Sequence, residues 1–437
     1  GGATLGLSAC GQACPFGVRI RTPRMGREVP SSRSEGSYAV PFPGTLLDVQ
    51  SGVDWPRTPV ERLQDFRPPF CPRRDCKYHT RSEGFRYQKK GSYRTKRRAV
   101  NPRFRCLGCG SSFCLNAFSL HYYRKRPELL LPVAAGLVAG SAHRQLARSL
   151  DCAPSTVTRL SARLGRHAML LLLRALFALK GRLDEEIVFD HFEVFELTQD
   201  LPFGVGTPVG AESWFVYGVD PAPHARTGKR SPAQERRRKR RARRPTRGGY
   251  AGSTWRVLDR LMPLCPEGRS LRLVHDGHPS YRTAVAQHPS GDRIESECHP
   301  NPARGPKGSP RSAAALARDK AMFPVDLWHQ ILRHTLAAHK RETIAFGRRL
   351  AAIMDRLFAA AGWRNFIKGV SERRNDRTTP AMKLGLTDRP WSWKQFLSQR
   401  LFPDREGLTG SWLDLYRRDW TTPELPSNTR HRKLFAY

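Results

Sequence analysis

EEIVFDHFEVFEL, residues 185–197, decides how the rest of the chain is read. Ile187, Val188, Phe189, Phe192, Val194 and Phe195 put apolar, β-favouring side chains at both parities of a two-residue period. That is the pattern of a strand buried on both faces. Asp190 sits in its middle, and a buried carboxylate without a partner is costly. The strand therefore asks for a compensating positive charge. A second acid ends another apolar run: LRLVHDGHPSY, 271–281, stops at Asp276, and Gly277 and Pro279 turn the chain. Acids at strand C-termini commonly project into a site at the edge of an α/β sheet, although Asp276 alone reads equally well as a turn or helix cap. Together the two point to a divalent ion, Mg²⁺ or Mn²⁺, which takes hard carboxylate oxygens and leaves positions open for phosphate oxygens. Two such ions can activate an attacking oxygen and stabilise a leaving one in phosphodiester displacement.

A third carboxylate is needed, and FPVDLWHQILRHTLAAHKRETIAFGRR, 323–349, offers two. Asp326 follows Pro324 at the expected start of a long helix, with Gln330 and Arg333 on nearly the same face. Glu342 lies some four turns deeper. Each has a plain reading, Asp326 as a carboxylate favoured at a helix N-terminus and Glu342 as an exposed partner of Lys340 or Arg341. Spacing alone leaves both open.

The composition supplies a polyanionic partner. Across 437 residues, 76 Lys and Arg face 38 Asp and Glu, a formal net charge of +38. Such an excess repels itself unless a polyanion or counterions accompany it, and nucleic acid is the first expectation. The apolar runs LLLPVAAGLVAG and AMLLLLRALFAL fall short of the roughly 20 residues that span a bilayer, so no membrane partner is expected. LSAC, ending at Cys10, lacks the basic and apolar lead of a lipoprotein signal. With no sign of export, the location expected is cytoplasmic, with the nucleoid, and the ten cysteines read as metal ligands or buried thiols rather than a disulfide framework.

FCPRRDCKYH and FRCLGCGSSF contribute Cys71, Cys76, Cys106 and Cys109 in a C-x4-C … C-x2-C arrangement. Two knuckles joined by a hairpin can bring four thiolates to the corners of a tetrahedron, the geometry of structural Zn²⁺; His79 and Cys114 stand as substitutes for one ligand. The intervening hairpin mixes Arg and Lys with Tyr and Phe, a combination suited to phosphate contact and base stacking. Next, AHRQLARSLDCAPSTVTRLSARLG, 142–165, reads as a helix-turn-helix. Its turn is Asp151–Ala153, Val157, Leu160 and Leu164 form the buried stripe of the second helix, and Ser155, Thr156, Thr158 and Arg159 face outward for a DNA groove. RTGKRSPAQERRRKRRARRPTRGG interrupts the α/β region at 221–250 with no apolar face to bury, which predicts a mobile basic loop whose Arg237, Arg240 and Arg244 contact phosphates.

The organisation that follows is a mostly disordered segment over 1–66, a zinc ribbon over 67–125, a helix-turn-helix region over 126–180, a catalytic α/β region over 181–388 and a C-terminal tail over 389–437. Strands are expected at 186–197, 213–219, 270–276 and 292–297, and helix from 311 to about 373. The first methionine is Met25, so part of the opening segment is expected not to belong to the native product.

In this order the pieces resemble a zinc-ribbon DDE transposase of bacterial or archaeal insertion sequences. The resemblance covers roughly 67–388 and rests on C-x4-C…C-x2-C-G-x-x-F, the helix-turn-helix, VFDHFEVFEL, VHDGHPSY, and ILRHTLAAHKRETIAF leading to TTPAMKLGL. It implies an RNase H-like fold, a mixed sheet flanked by helices, with three acids holding two Mg²⁺ (or Mn²⁺) ions: Asp190, Asp276 and, from the register ahead of Arg333, Asp326 rather than Glu342. Asp stands where the family usually has Glu. The resemblance further implies binding of element ends and target DNA, strand transfer, and a homo-oligomer when two ends are joined. Two rivals remain: a non-catalytic DNA-binding regulator on the same ribbon and helix-turn-helix, and an RNA-acting enzyme of the same fold.

Overall fold

The structure, a computed structural model, describes residues 66–95, 98–241, 244–303, 305–306, 308–340 and 342–425. The disordered segment expected over 1–66 falls, but for Phe66, outside them. Three antiparallel strands come first, β1 (Tyr87–Thr95), β2 (Arg98–Cys106) and β3 (Ser112–Cys114), in the order β1-β2-β3. Helices α1 (Leu130–Val138), α2 (His143–Ser149) and α3 (Pro154–Ala178) follow. The larger region contains β4 (Ile187–Phe195), β5 (Pro202–Gly210), β6 (Asp220–Pro223), α4 (Pro232–Arg240), α5 (Gly249–Leu261), β7 (Leu271–His275), α6 (Pro279–Ala286), β8 (Ile294–Cys298), α7 (Ala313–Thr335), α8 (Leu350–Phe366) and α9 (Gly410–Arg417).

Its five strands form one mixed sheet in the order β6-β5-β4-β7-β8. β4, β5 and β6 are antiparallel neighbours, whereas β4–β7 and β7–β8 are parallel. The two-sided apolar pattern of β4 is explained by its central position. Phe192 meets the ring of His329 on α7, while Phe189 meets Tyr281 on α6. Even-numbered residues of β4 thus face α7, and odd-numbered ones face the opposite layer.

Two strand expectations need correction. Residues 213–219 do not form a strand; only a bridge between Val216 and Val209 remains. Side chains satisfy their backbone instead: Glu185 accepts from the N–H groups of Glu212 and Ser213, and Asn365 pairs with both N–H and C=O of Val216. The unexpected strand is β5, whose sequence PFGVGTPVG looks like turn. Gly206 is required there because a Cβ would lie 2.9 Å from Ser253 Oγ on α5. Pro208 is tolerated because the β6 ladder covers only Phe203–Gly206.

The helical expectation over 311–373 resolves into α7 and α8 with a break between them. Asp326 does not begin a helix: α7 starts at Ala313, capped by Ser312, and Pro324 lies inside it. Glu342 belongs to neither helix. α3 runs on past the helix-turn-helix segment to pack against α8, and at Gly165 the two backbones approach so closely that a Cβ would collide with Asp355. The segment expected as a tail is part of the core up to Thr422. Trp412 and Trp420 are buried, Arg166 donates to Tyr416 O at 2.8 Å, and His167 bonds Phe396 O at 2.7 Å. Among the described residues no helix is long and apolar enough to cross a membrane.

Candidate metal centres and nucleic-acid surface

The four cysteines named from spacing converge. Sγ atoms of Cys71, Cys76, Cys106 and Cys109 all lie within 4.8 Å of one another, with Cys71–Cys109 at 3.7 Å and Cys76–Cys106 at 3.8 Å. Ligands about 2.3 Å from a tetrahedral Zn²⁺ stand about 3.8 Å apart, so the cluster fits a structural zinc ion. Cys71, Cys76 and Cys106 are buried, and burial pushes the thiols of Cys71 and Cys76 up, a cost that a divalent ion would offset by stabilising thiolates. The two substitutes are otherwise engaged. His79 bonds Cys71 O at 2.8 Å and packs its ring against Phe70 and Phe402, while Cys114 accepts from Tyr93. The ribbon is not a free appendage: Arg405 lies over the Phe70 ring at 3.8 Å and Arg400 N–H donates to Phe118 O at 2.8 Å.

In the five-stranded sheet, the pairing Phe189–His275 makes Asp190 and Asp276 successors of directly paired residues on adjacent parallel strands. α7 crosses the same face, so Asp326 and His329, one turn apart, point at Asp190. Ligand atoms of Asp190, Asp326 and His329 all lie within 4.8 Å of one another, a set able to hold a metal ion. Asp276 is outside that close group. Its carboxylate accepts from the His278 N–H at 3.1 Å and the Asn301 side chain at 3.3 Å. Asp326 carries a further tie, an ion pair with Arg318 two turns earlier on α7. Glu342 is exposed and lies off the helix.

Asp190 is half-buried, and its charge environment differs from that of the buried acids Asp220, Glu196 and Asp355. Asp220 is paired with Arg256 and Arg260, Glu196 with Arg244, and Asp355 with Arg418. At Asp190, the only basic side chain at ion-pair distance among the described residues is the imidazole of His329, Oδ2 to Nδ1 at 3.8 Å. Burial, and then the like charge of Asp276, push its carboxyl up to about 7, against the stabilising N–H of His191 and the Tyr281 hydroxyl. Burial and the cations Arg333 and Arg318 hold His329 down at about 3, so it is neutral at pH 7. Among the described residues, then, no lysine or arginine pairs with Asp190.

Residues 142–165 hold two helices and a turn. α2 and α3 flank the turn at Asp151–Ala153, and Val157, Leu160 and Leu164 are buried. Ser155, Thr158 and Arg159 are exposed and Thr156 is half-buried; Thr158 Oγ1 is also engaged by Pro154 O and His143. The basic insertion is not a loop throughout. Ser231 and Gln234 form a reciprocal cap on α4, whose nine residues bury none of their side chains, so Arg237 and Arg240 are solvent-facing.

Arg244 is a correction. It turns inward to Glu196 at 2.7 Å and also donates to Pro202 O and His224 O. Because it neutralises a carboxylate with no exposed side-chain area, it is a structural cation rather than a phosphate contact. Arg244→Ala is expected to lower unfolding stability by about 3–5 kcal/mol, the cost of leaving a buried charge unpaired, as chemical denaturation would measure. A merely surface role predicts a change within about 0.5 kcal/mol.

Sequence reasoning missed His329, Tyr281 and Arg318. The first was legible in principle, as Asp326-x-x-His329 places both on one face of a helix; the others depend on how α6 and α7 are placed. Compared with models of protein families, with curated proteins and with solved structures, the chain gives no significant match.

Proposed function

We propose that this chain is a metal-dependent polynucleotidyl transferase, a DNA transposase of the zinc-ribbon DDE type. The observation that carries the reading is the meeting of Asp190, Asp326 and His329, with Asp276 on the neighbouring strand, in a chain of formal net charge +38. An RNase H-like assignment is supported by the strand order, and by acids that come from the first strand of the large sheet, a later strand and a following helix. Asp190, Asp276 and Asp326 would hold divalent ions, which when bound supply charge neutralisation at a phosphate and activation of the attacking oxygen.

The chain's own residues do the positioning. The His191 N–H and Tyr281 hydroxyl fix Oδ1 of Asp190 and leave Oδ2 turned toward α7. The ribbon and helix-turn-helix would bind element ends, and α4 would track flanking phosphates. Joining two ends calls for at least two subunits, and such work would be done on the nucleoid.

One observation favours a second reading, a non-catalytic DNA-binding regulator: Asp326 is already paired with Arg318 and Asp276 stands outside the close cluster. The two separate on duplex DNA carrying the sequence that flanks the gene, incubated with Mg²⁺ or Mn²⁺ beside an RNA of the same sequence. End-specific nicks in DNA support the transposase. Binding without cleavage supports the regulator, and preferential RNA cleavage supports an RNA-acting enzyme.

Phosphate contact by α4 has its own expectation. Replacing Arg237 and Arg240 by Glu should weaken binding similarly for all sequences and reduce the slope of log K against log salt by about 2, one unit for each lost phosphate contact. An unchanged slope in a salt titration would remove α4 from the interface.

A further inference from the structure

We infer that His329 is a direct metal ligand, and that the Asp190–Asp326–His329 site takes a divalent transition ion of the Mn²⁺ class in preference to Mg²⁺. The inference rests on the metal-dependent reading above and goes beyond it, since three carboxylates alone would favour hard, oxygen-liganded Mg²⁺.

Hydrogen-bond accounting carries the argument. The Thr207 hydroxyl donates to Asp190 O at 2.8 Å and lies 2.7 Å from His329 Nε2. A hydroxyl has one proton to give. With that proton committed to the carbonyl, Thr207 can only accept from His329, which makes Nε2 the N–H of the ring. Nδ1 is then a bare lone pair, 3.8 Å from Asp190 Oδ2. When Asp190 is ionised, two lone pairs at that separation repel, and a cation between them turns the repulsion into two bonds.

The distance suits this, because donors about 2.1 Å from one ion stand roughly 3–4 Å apart. An outer hydrogen bond that fixes tautomer and ring orientation is also how metal-binding histidines are usually held. Asp326 reaches the same point from one turn earlier on α7. Imidazole nitrogen binds first-row transition ions far better than Mg²⁺, so the single nitrogen shifts the preference.

The test uses the full, zinc-loaded chain with Mn²⁺ as the probe. Pulsed EPR of bound Mn²⁺ should show ¹⁴N modulation from a coordinated imidazole. The pattern should change to that of ¹⁵N when the protein is made with ¹⁵N-histidine, and vanish in His329→Gln. Competition titration should give Mn²⁺ at least about tenfold tighter binding than Mg²⁺, falling to within about threefold in His329→Gln. If His329→Gln does not fold, the ¹⁵N-histidine substitution in the unaltered chain still gives the ligand class. Mn²⁺ that binds in an Asp190-dependent way but shows no nitrogen modulation overturns the inference and leaves the carboxylate site standing. Mn²⁺ that binds no more weakly to Asp190→Asn than to the unaltered chain overturns both.

Discussion

Asp190→Asn is expected to abolish divalent-dependent DNA cleavage, by a factor on the order of 10³ or more, and at the same time to make the zinc-loaded protein more stable in the absence of Mg²⁺ and Mn²⁺. The two effects share one cause. Burial and the charge of Asp276 raise the Asp190 carboxyl to about 7, above the usual carboxylate value near 3.9 in an unfolded chain. A raised folded-state value means that the native protein holds a proton which the unfolded chain releases. The stability linked to it is complete below about pH 4 and is lost as pH rises through about 7. Asparagine carries no such penalty. The variant should therefore match the parent at pH 4 and exceed it by roughly 2–4 kcal/mol at pH 8, since each tenfold difference in proton affinity between the folded and unfolded chain is worth about 1.4 kcal/mol. Zinc-loaded samples in buffer free of Mg²⁺ and Mn²⁺, unfolded in urea at the two pH values, would measure this. A variant that cleaves at the parental rate, or gains nothing at pH 8, contradicts a carboxylate strained for cation binding.

The second large effect concerns zinc. Among the described residues, the ribbon's buried clusters are small: Cys71, Cys76 and Cys106 with Tyr78, Phe85 and Phe113 partly against them, and Ala117 and Phe118, completed by Phe402 from far along the chain. So small a core does not hold a fold by hydrophobic burial alone. Metal binding at such sites contributes on the order of 10 kcal/mol. Strong chelation, or Cys106→Ser, should therefore unfold the ribbon and free the Phe70 and Phe118 contacts with Phe402. The expected readouts are loss of one zinc per chain and rapid proteolysis between residues 70 and 115. Cys114→Ser should retain zinc, because Cys114 is outside the four-sulfur group. Retention of the ribbon's protease resistance after complete zinc removal would refute the metal's structural role.

What the sequence made legible follows from how local the signals were. Cys71, Cys76, Cys106 and Cys109 lie in two short knuckles, and the stripe Val157, Leu160, Leu164 lies within two helical turns, so spacing sufficed for both. β4 and β7 were visible as apolar runs because both faces are covered. β5 was hidden because its Gly and Pro residues serve neighbours distant in sequence: Gly206 makes room for Ser253 on α5, and Pro208 sits where no ladder demands its N–H. The apolar run at 213–219 misled because Glu185 and Asn365, far along the chain, take over its backbone hydrogen bonds. Arg244 was misread for a related reason. It stands in an arginine-rich run of sequence, and only the return of the chain beside Glu196 turns it inward. His329 required knowing that α7 lies across β4.

The most direct test is anomalous diffraction from crystals of the full chain grown with Mn²⁺. The expected result is a manganese peak within about 2.5 Å of carboxylate oxygens of both Asp190 and Asp326, with the Arg318 side chain drawn away from Asp326. A map at saturating Mn²⁺ with no peak near Asp190, and Arg318 still paired with Asp326, would contradict the account.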